Sequence, residues 1–385
     1  MVVYRKIFIS FAFLFMHTVL VSRPLHILFV VEYFPAQSQI FILNLMTGLI
    51  DNGHKVSIFA YKKNDFAQQH PHIAQYGLMN SVIYEQWPAL LPECDIVFCQ
   101  SATLGKQLLE NKALEKWIKK RKLVVSLRGA DITKYEVKDN PAAYQQLFNE
   151  ADLFLPVCDY FKKIAVQLGC SADKIIVHHS AINCSQFFFK ERQHKRKEPI
   201  KCVSVCRLVE KKGLDFALQA IAKIIKKYKN IHFTIVGRGR LRDYLEQLAQ
   251  KLKIRDKVTF FGWATHEQVA RILAQSHIFL LPSITAENGD EEGIANALKE
   301  AMAMGLIVVS TYHAGTPELI TDGLSGFMVP EKNSNALADK IMHIIEHPEI
   351  WKSIGLAARK KIENEFEIKQ SIKELETIFN GLLKN

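Results

Sequence analysis

Two stretches of the chain gather residue types that bind and neutralise phosphate. The first is Cys206-Arg207-Leu208-Val209-Glu210-Lys211-Lys212-Gly213-Leu214-Asp215. It puts an arginine at the carboxyl end of a β-type apolar run and a lysine directly before the glycine that opens a helical pattern. Two cations and a helix N-terminus aimed at one point suit a diphosphate whose charge must be neutralised as it leaves. Taken alone, the stretch reads equally well as surface charge at a strand end. The second stretch runs from Leu280 to Glu318: Leu-Leu-Pro-Ser at 280–283, a polar loop, then Glu292-Gly293-Ile294-Ala295-Asn296-Ala297-Leu298-Lys299-Glu300. A strand, a loop and a helix opening at Gly293 predict an anion site at Gly293 and Ile294, because first-turn N–H groups have no intrahelical partner.

Glu292 and Glu300 invite comparison with the paired acids of glycoside hydrolysis. Eight residues of helix separate them by roughly 12 Å at about 1.5 Å per residue, against about 5 to 10 Å for hydrolytic pairs. They read as two separate substrate contacts, although Glu300 by itself would pass for a solvated helix glutamate.

These stretches need scaffolding. From residue 25 onward, short runs rich in β-branched residues alternate with longer amphipathic segments, the pattern of βα units and parallel sheets. The first half offers strands at His26–Val31, Lys55–Ala60, Asp95–Cys99, Leu123–Arg128, Leu153–Val157 and Ile175–His178. The charged segment Lys190–Glu198 interrupts the rhythm and marks a boundary. The second half restarts with strands at Cys202–Cys206, His232–Val236, Lys257–Phe261, Ile278–Pro282 and Ile307–Ser310, and helices at Leu214–Tyr228 and Gly293–Met304. The expected fold is α/β, with two Rossmann-like doubly wound domains facing across a cleft, where ligands of such sheets bind. The units are 1–23 as a hydrophobic leader, 24–195 and 196–365 as the two domains, and 366–385 as a helix returning to the first domain.

With 385 residues, 49% of them hydrophobic, each domain can bury its own core, and 23% charged with 10% aromatic residues excludes a disordered chain. The net charge of +11 favours polyanionic partners. The runs Lys119-Lys120-Arg121-Lys122 and Lys190–Lys197 read as solvated faces or linker, with a membrane surface as the alternative; no basic motif interleaved with aromatics points to nucleic acid. Seven cysteines, at 94, 99, 158, 170, 184, 202 and 206, form no Cys-x-x-Cys pair and read as reduced packing residues. Arg5 and Lys6 precede an apolar run from Ile7 to Val21, short for a spanning helix and with a poor cleavage region around Ser22. An anchor, or an extension upstream of the true start, fits it better than a cleaved signal.

The donor-side residues resemble the family-4 retaining glycosyltransferases of GT-B fold, in the branch that builds exopolysaccharides such as colanic acid. Pro282-Ser283 through Asp290, Glu292-Gly293, and Glu300-Ala301-Met302-Ala303-Met304-Gly305 are similar to that branch's donor signature with its Glu-x7-Glu motif. His313-Ala314-Gly315-Thr316-Pro317-Glu318-Leu319, Asp322-Gly323 and Phe34-Pro35 through Ile42 extend the likeness over nearly all of the chain past the leader. The resemblance implies that Arg207 and Lys212 bind the diphosphate and stabilise the departing nucleotide, and that Glu292 meets the donor sugar. It implies that amides from Gly293, with Ile294 and Ala295, meet sugar and phosphate, that Glu300 holds the ribose, and that Phe261, Gly262 and Trp263 contact the base. It implies that residues 24–195 bind the acceptor and 196–365 the donor, with Glu318 on the donor side and Ser38, Gln39 and Asp131 toward the acceptor. The family retains configuration by front-face displacement, with no enzyme nucleophile and no nucleotide-binding metal. Three positions depart from its pattern: Arg128 stands where a histidine is common, Cys206 where a glycine is frequent, and Ala295 where a proline is frequent. A fixed cation at Arg128 still suits developing phosphate charge.

Other readings fare less well. Val236-Gly237-Arg238-Gly239-Arg240 fails as a dinucleotide fingerprint because Arg242 takes the place of the third glycine. A nucleotide-sugar epimerase would not be expected to carry this Arg/Lys and Glu set. A degenerate scaffold is motivated only by the missing histidine. His178 and His179 read as interdomain packing. The expected donor is a UDP-sugar, with GDP-mannose next. The expected acceptor is a saccharide or polyprenyl-linked saccharide at the cytoplasmic membrane face, with peripheral membrane contact and no nucleic acid.

Overall fold

The computed structural model describes residues 23–35, 40–64, 70–84, 91–194 and 198–384. Its strands are β1 (His26–Phe34), β2 (Lys55–Lys63), β3 (Val82–Tyr84), β4 (Ile96–Cys99), β5 (Lys122–Leu127) and β6 (Leu153–Pro156) in the first half. The second half has β7 (Ile200–Val205), β8 (Ile231–Val236), β9 (Val258–Gly262), β10 (Ile278–Leu281), β11 (Ile307–Thr311) and β12 (Phe327–Val329). Six helices matter to the site: α1 (Ile40–Asp51), α2 (Asp159–Gln167), α3 (Leu214–Lys227), α4 (Asn296–Ala303), α5 (Trp351–Glu365) and α6 (Ile368–Leu382).

One sheet runs β3-β2-β1-β4-β5-β6 and the other β12-β11-β10-β7-β8-β9, with every pairing parallel. Counting from each half's first strand, both have the doubly wound order 3-2-1-4-5-6. Chain direction reverses between β1 and β4 in one sheet and between β7 and β10 in the other, leaving a crevice at the carboxyl ends of those strands. Helices cover both faces of each sheet, which is why β4 and β10 are buried at every residue and read as unbroken apolar runs. α3 buries Leu214, Ala217, Leu218, Ile221 and Ile224, one stripe at helical spacing.

The structure alters two expectations. Residues 175–178 form no strand, only an isolated bridge from Phe154 to Ile175. β3 and β12 are edge strands of three residues, too short for a period to register in sequence. Within the expected boundary segment Lys190–Glu198, Lys190 and Arg192 pack on the second domain. The Lys190 amide bonds the Met304 carbonyl at 3.2 Å, and Arg192, 4% exposed, donates to the carbonyls of Ala274 and Met304. Residues 195–197 and the leader through residue 22 lie outside the described residues. No helix of the described residues is long and apolar enough to cross a membrane. α6 returns to the first domain, burying Ile372, Leu375 and Phe379 in the cluster that holds Ile42, Leu45 and Met46 of α1. The seven cysteines are all free thiols.

Candidate active site

The loops after β7 and β10 meet at the reversal point of the second sheet. Gly213 makes the meeting possible: it adopts φ 58, and a Cβ there would lie 1.9 Å from the Pro282 carbonyl oxygen. With that approach allowed, Lys212 Nζ reaches Glu292 Oε2 at 2.5 Å. Lys211, assigned no role from sequence, bonds Asp290 Oδ1 at 2.8 Å and the Glu291 carbonyl at 3.0 Å, and stands 3.9 Å from Glu292 Oε2. Burial alone would raise the Glu292 carboxyl, but Lys212, Lys211 and Arg207 outweigh it and hold the group down at about 2. Both lysines are more than nine-tenths buried. The Arg207 side chain, by contrast, is exposed and makes no hydrogen bond or ion pair among the described residues. The Gly237-Arg238-Gly239 turn has a structural use, since Cβ atoms at its glycines would collide with the Cys206 and Leu208 backbone. It seats the loop that carries Arg207.

The helix beyond Glu292 starts later than its sequence suggests. α4 begins at Asn296 with Ala295 as its N-cap, so the rise argument that set Glu292 and Glu300 on one helix does not apply. Gly293 is spent on a close approach: its Cβ would stand 2.9 Å from the Phe161 ring. The anion-binding character persists in another form. The amides of Gly293, Ile294, Ala295, Asn296 and Ala297 donate to no group among the described residues. Residues 293–295 are buried, and a buried unpaired N–H costs about 1–3 kcal/mol unless something fills the role of water.

Glu300 is 8% exposed and its carboxylate makes no hydrogen bond among the described residues; burial, only partly offset by Lys299, lifts its carboxyl to about 7. Phe261 is 43% exposed at the end of β9. Gly262 takes φ 85 and its carbonyl accepts the Gly237 amide at 2.7 Å. Arg238 lies 5.8 Å from the centre of the Trp263 ring. These three residues form an aromatic edge beside the cation loop.

His313 supports the loop and was not assigned a role from sequence. Its Nε2 accepts the Glu292 amide at 3.0 Å, so its proton sits on Nδ1, which faces Glu331 Oε1 at 2.6 Å. Glu331 also takes the Thr285 amide at 2.9 Å. No sequence spacing ties Glu331 to residue 292; only the β11 and β12 ends bring them together.

The first domain grips this loop. The Tyr135 amide bonds the Asn288 carbonyl at 3.0 Å, the Glu291 amide bonds Thr133 Oγ1 at 3.1 Å, and Lys138 lies 3.4 Å from Glu291 Oε1. Arg128, at the end of β5, donates to the Gln100 carbonyl and to Gln100 Oε1 at 3.1 and 2.7 Å, and stacks 4.6 Å from the Phe41 ring centre. Burial lowers its guanidinium to about 10, and it is still a cation at neutral pH.

Two expected site residues spend their carboxylates on the protein itself. Asp131 accepts the amides of Ala102, Arg128 and Gly129 at 2.9, 3.1 and 2.8 Å; its oxygens hold the Arg128 loop. Glu318 accepts the amides of Asp159 and Tyr160 at 2.8 and 3.0 Å, capping α2 across the domain junction, and meets His179 at 3.3 Å. It clamps the two domains together. His178 is buried against the Ser371 carbonyl of α6 at 2.9 Å. Ser38 and Gln39 lie outside the described residues. Among the described residues no group of three or more His, Cys, Asp and Glu is placed to hold a metal ion.

Residues 185–361 match the family described as glycosyl transferases group 1. The chain is 31% identical over 402 residues to the amylovoran biosynthesis glycosyltransferase of Erwinia amylovora, spanning 91% of this chain and 98% of that protein. A Salmonella typhimurium protein named for glycosyl transfer in colanic acid biosynthesis is 30% identical across 86% of this chain and 94% of its own length. Among solved structures, a glycosyltransferase from Rickettsia africae superposes with a TM-score of 0.74 at 18% identity, covering 94% of this chain and all of its own. Anabaena HepE, solved with UDP and glucose, gives 0.76 at 18% identity over 93% of this chain and all of its own. The likeness to these two is one of fold.

Proposed function

The chain belongs to the group 1 glycosyl transferases, a nucleotide-sugar-dependent glycosyltransferase of GT-B fold acting in polysaccharide biosynthesis, and from that premise we propose how its site works and on what. The donor is a UDP-sugar or GDP-mannose, bound with its diphosphate between Arg207, Lys212 and the amides of residues 293–297. One observation carries this reading: five consecutive amides, three of them in buried residues, donate to no group among the described residues and lie beside the cation cluster. An anion there gains hydrogen bonds that the protein alone leaves unmade.

In the same reading Glu300 accepts the ribose hydroxyls, the Phe261–Trp263 edge meets the base, and Glu292 meets the sugar hydroxyls while its charge is held by Lys212. As the glycosidic bond breaks, charge grows on the β-phosphate, and the fixed cations Arg207 and Lys212 stabilise it without reorganising. The positive charge comes from protein side chains, so no metal is required. The acceptor hydroxyl attacks from the face the nucleotide leaves, with retention and no enzyme nucleophile. Arg128 faces the reacting region from the first domain. The acceptor is a saccharide or polyprenyl-linked saccharide of an exopolysaccharide, met at the cytoplasmic face of the membrane. The names of the relatives support this product class.

A thermal-shift screen of the full chain against UDP, GDP and ADP, with and without EDTA, tests the donor reading. An EDTA-insensitive rise with one base is expected; no response to any nucleotide would overturn it.

A further inference from the structure

Lys299 is fully buried and has no carboxylate partner among the described residues. Burying an ammonium costs several kcal/mol unless its surroundings repay it, and what surrounds this one is the junction between the domains. Its Nζ donates to the Ser180 carbonyl and to Asn296 Oδ1, the latter at 3.1 Å, and lies 5.3 Å from the centre of the Phe366 ring.

Ser180 and Phe366 belong to the two places where the chain passes between domains, outward after β6 and back before α6. The passages are paired: the Ile182 amide bonds the Phe366 carbonyl and the Ile368 amide bonds the Ile182 carbonyl, each at 3.0 Å. Lys299 therefore touches both strands of the hinge at once. Ser180 also receives Arg128 Nη1 on its hydroxyl at 3.4 Å, and the Phe366 ring packs 5.2 Å from that of His179, the partner of Glu318. The residue after Lys299 on α4 is Glu300, whose carboxylate makes no hydrogen bond among the described residues. Successive residues on a helix point about 100° apart, so one rigid helix carries a donor contact on one side and a hinge contact on the next.

We propose that Lys299 is a positioning residue that pins the paired hinge strands and transmits donor occupancy at Glu300, through α4, to the hinge and to Arg128 by way of Ser180. The proposal rests on the reading of Glu300 as a donor contact. Burial pushes the Lys299 ammonium down to about 7, with Cys158, Glu300 and Glu292 opposing that fall and Arg128 adding to it.

The test uses the full chain with K299M, which keeps the buried volume and loses the donor, and K299R, which keeps the charge. Amide hydrogen exchange at Ile182 and Ile368 is the readout, without nucleotide and with UDP or GDP, whose binding is measured separately by calorimetry. In K299M these amides exchange about tenfold faster than in wild type, as expected for losing one charged hydrogen bond that holds them, and K299R returns them toward the wild-type rate. Nucleotide slows them further in wild type and K299R but not in K299M. Equal exchange in K299M and wild type overturns the pin, and equal slowing by nucleotide in both overturns the transmission. If K299M loses its cooperative melt, F366L, which removes the ring beneath the ammonium, is expected to give a smaller acceleration at the same two amides, and none would refute the proposal. Failure of either nucleotide to bind wild type sinks the donor reading and with it the transmission, while the exchange rates without nucleotide still judge the pin.

Discussion

The Lys212–Glu292 pair offers the sharpest energetic test. The side chains are 9% and 19% exposed, so water screens their attraction little. A carboxyl held at about 2, where 4.5 is ordinary, is more strongly bound by its cations than repelled by burial by roughly 3 kcal/mol, at about 1.4 kcal/mol per tenfold change in acidity. Lys212 is the largest of three cations, with Lys211 at 3.9 Å and Arg207 remaining after its loss. Lys212→Met should therefore cost about 2 to 3 kcal/mol, and Glu292→Gln about as much, since each leaves the other's charge in a poorly hydrated loop. The double variant should cost little more than either single one, giving a coupling of about 2 kcal/mol. Thermal melts at pH 7 should show each single variant lower by about 4 to 10 °C. Because the folded carboxyl is depressed, the pair's contribution is whole above about pH 4.5 and fades as pH falls toward 2. The gap between wild type and Lys212→Met should thus be constant from pH 8 to 5 and narrow at pH 4 and below. Additive losses, with coupling under about 0.5 kcal/mol, would refute the argument that these charges hold the loop together.

Two further outcomes follow from the site. Asp131→Ala strands three buried amides and should cost about 2 to 4 kcal/mol in urea unfolding; a full-stability variant that fails only in acceptor binding would restore Asp131 to the acceptor. For Glu300, ribose hydroxyls donate best to the ionised carboxylate. Nucleotide affinity measured by calorimetry should then rise with pH up to about 7 and level off, and Glu300→Gln should bind roughly tenfold more weakly with a flat profile; an unchanged slope in the variant would contradict the assignment.

Much of this protein is written locally. Alternating apolar runs mark ten of the twelve strands, because a strand covered on both faces must be apolar throughout and short enough to cross one layer. The cations at Arg207 and Lys212 and the glutamates at 292 and 300 are legible too, since strand end, glycine and helix start occur within a few residues of one another. What sequence leaves open is where each side chain spends its hydrogen bonds. Asp131 turns inward because three amides of its own loop and the neighbouring one converge on it. Gly293 must lack a side chain because Phe161, more than a hundred residues earlier, occupies the space a Cβ would take. Glu318 caps a helix of the other domain, and Lys299, an ordinary helix lysine by its neighbours, is buried at the hinge. Periodicity and spacing report contacts within about one turn or one strand pair. Partners 80 to 200 residues away are chosen when two separately folded sheets close on each other, and only the tertiary structure decides them.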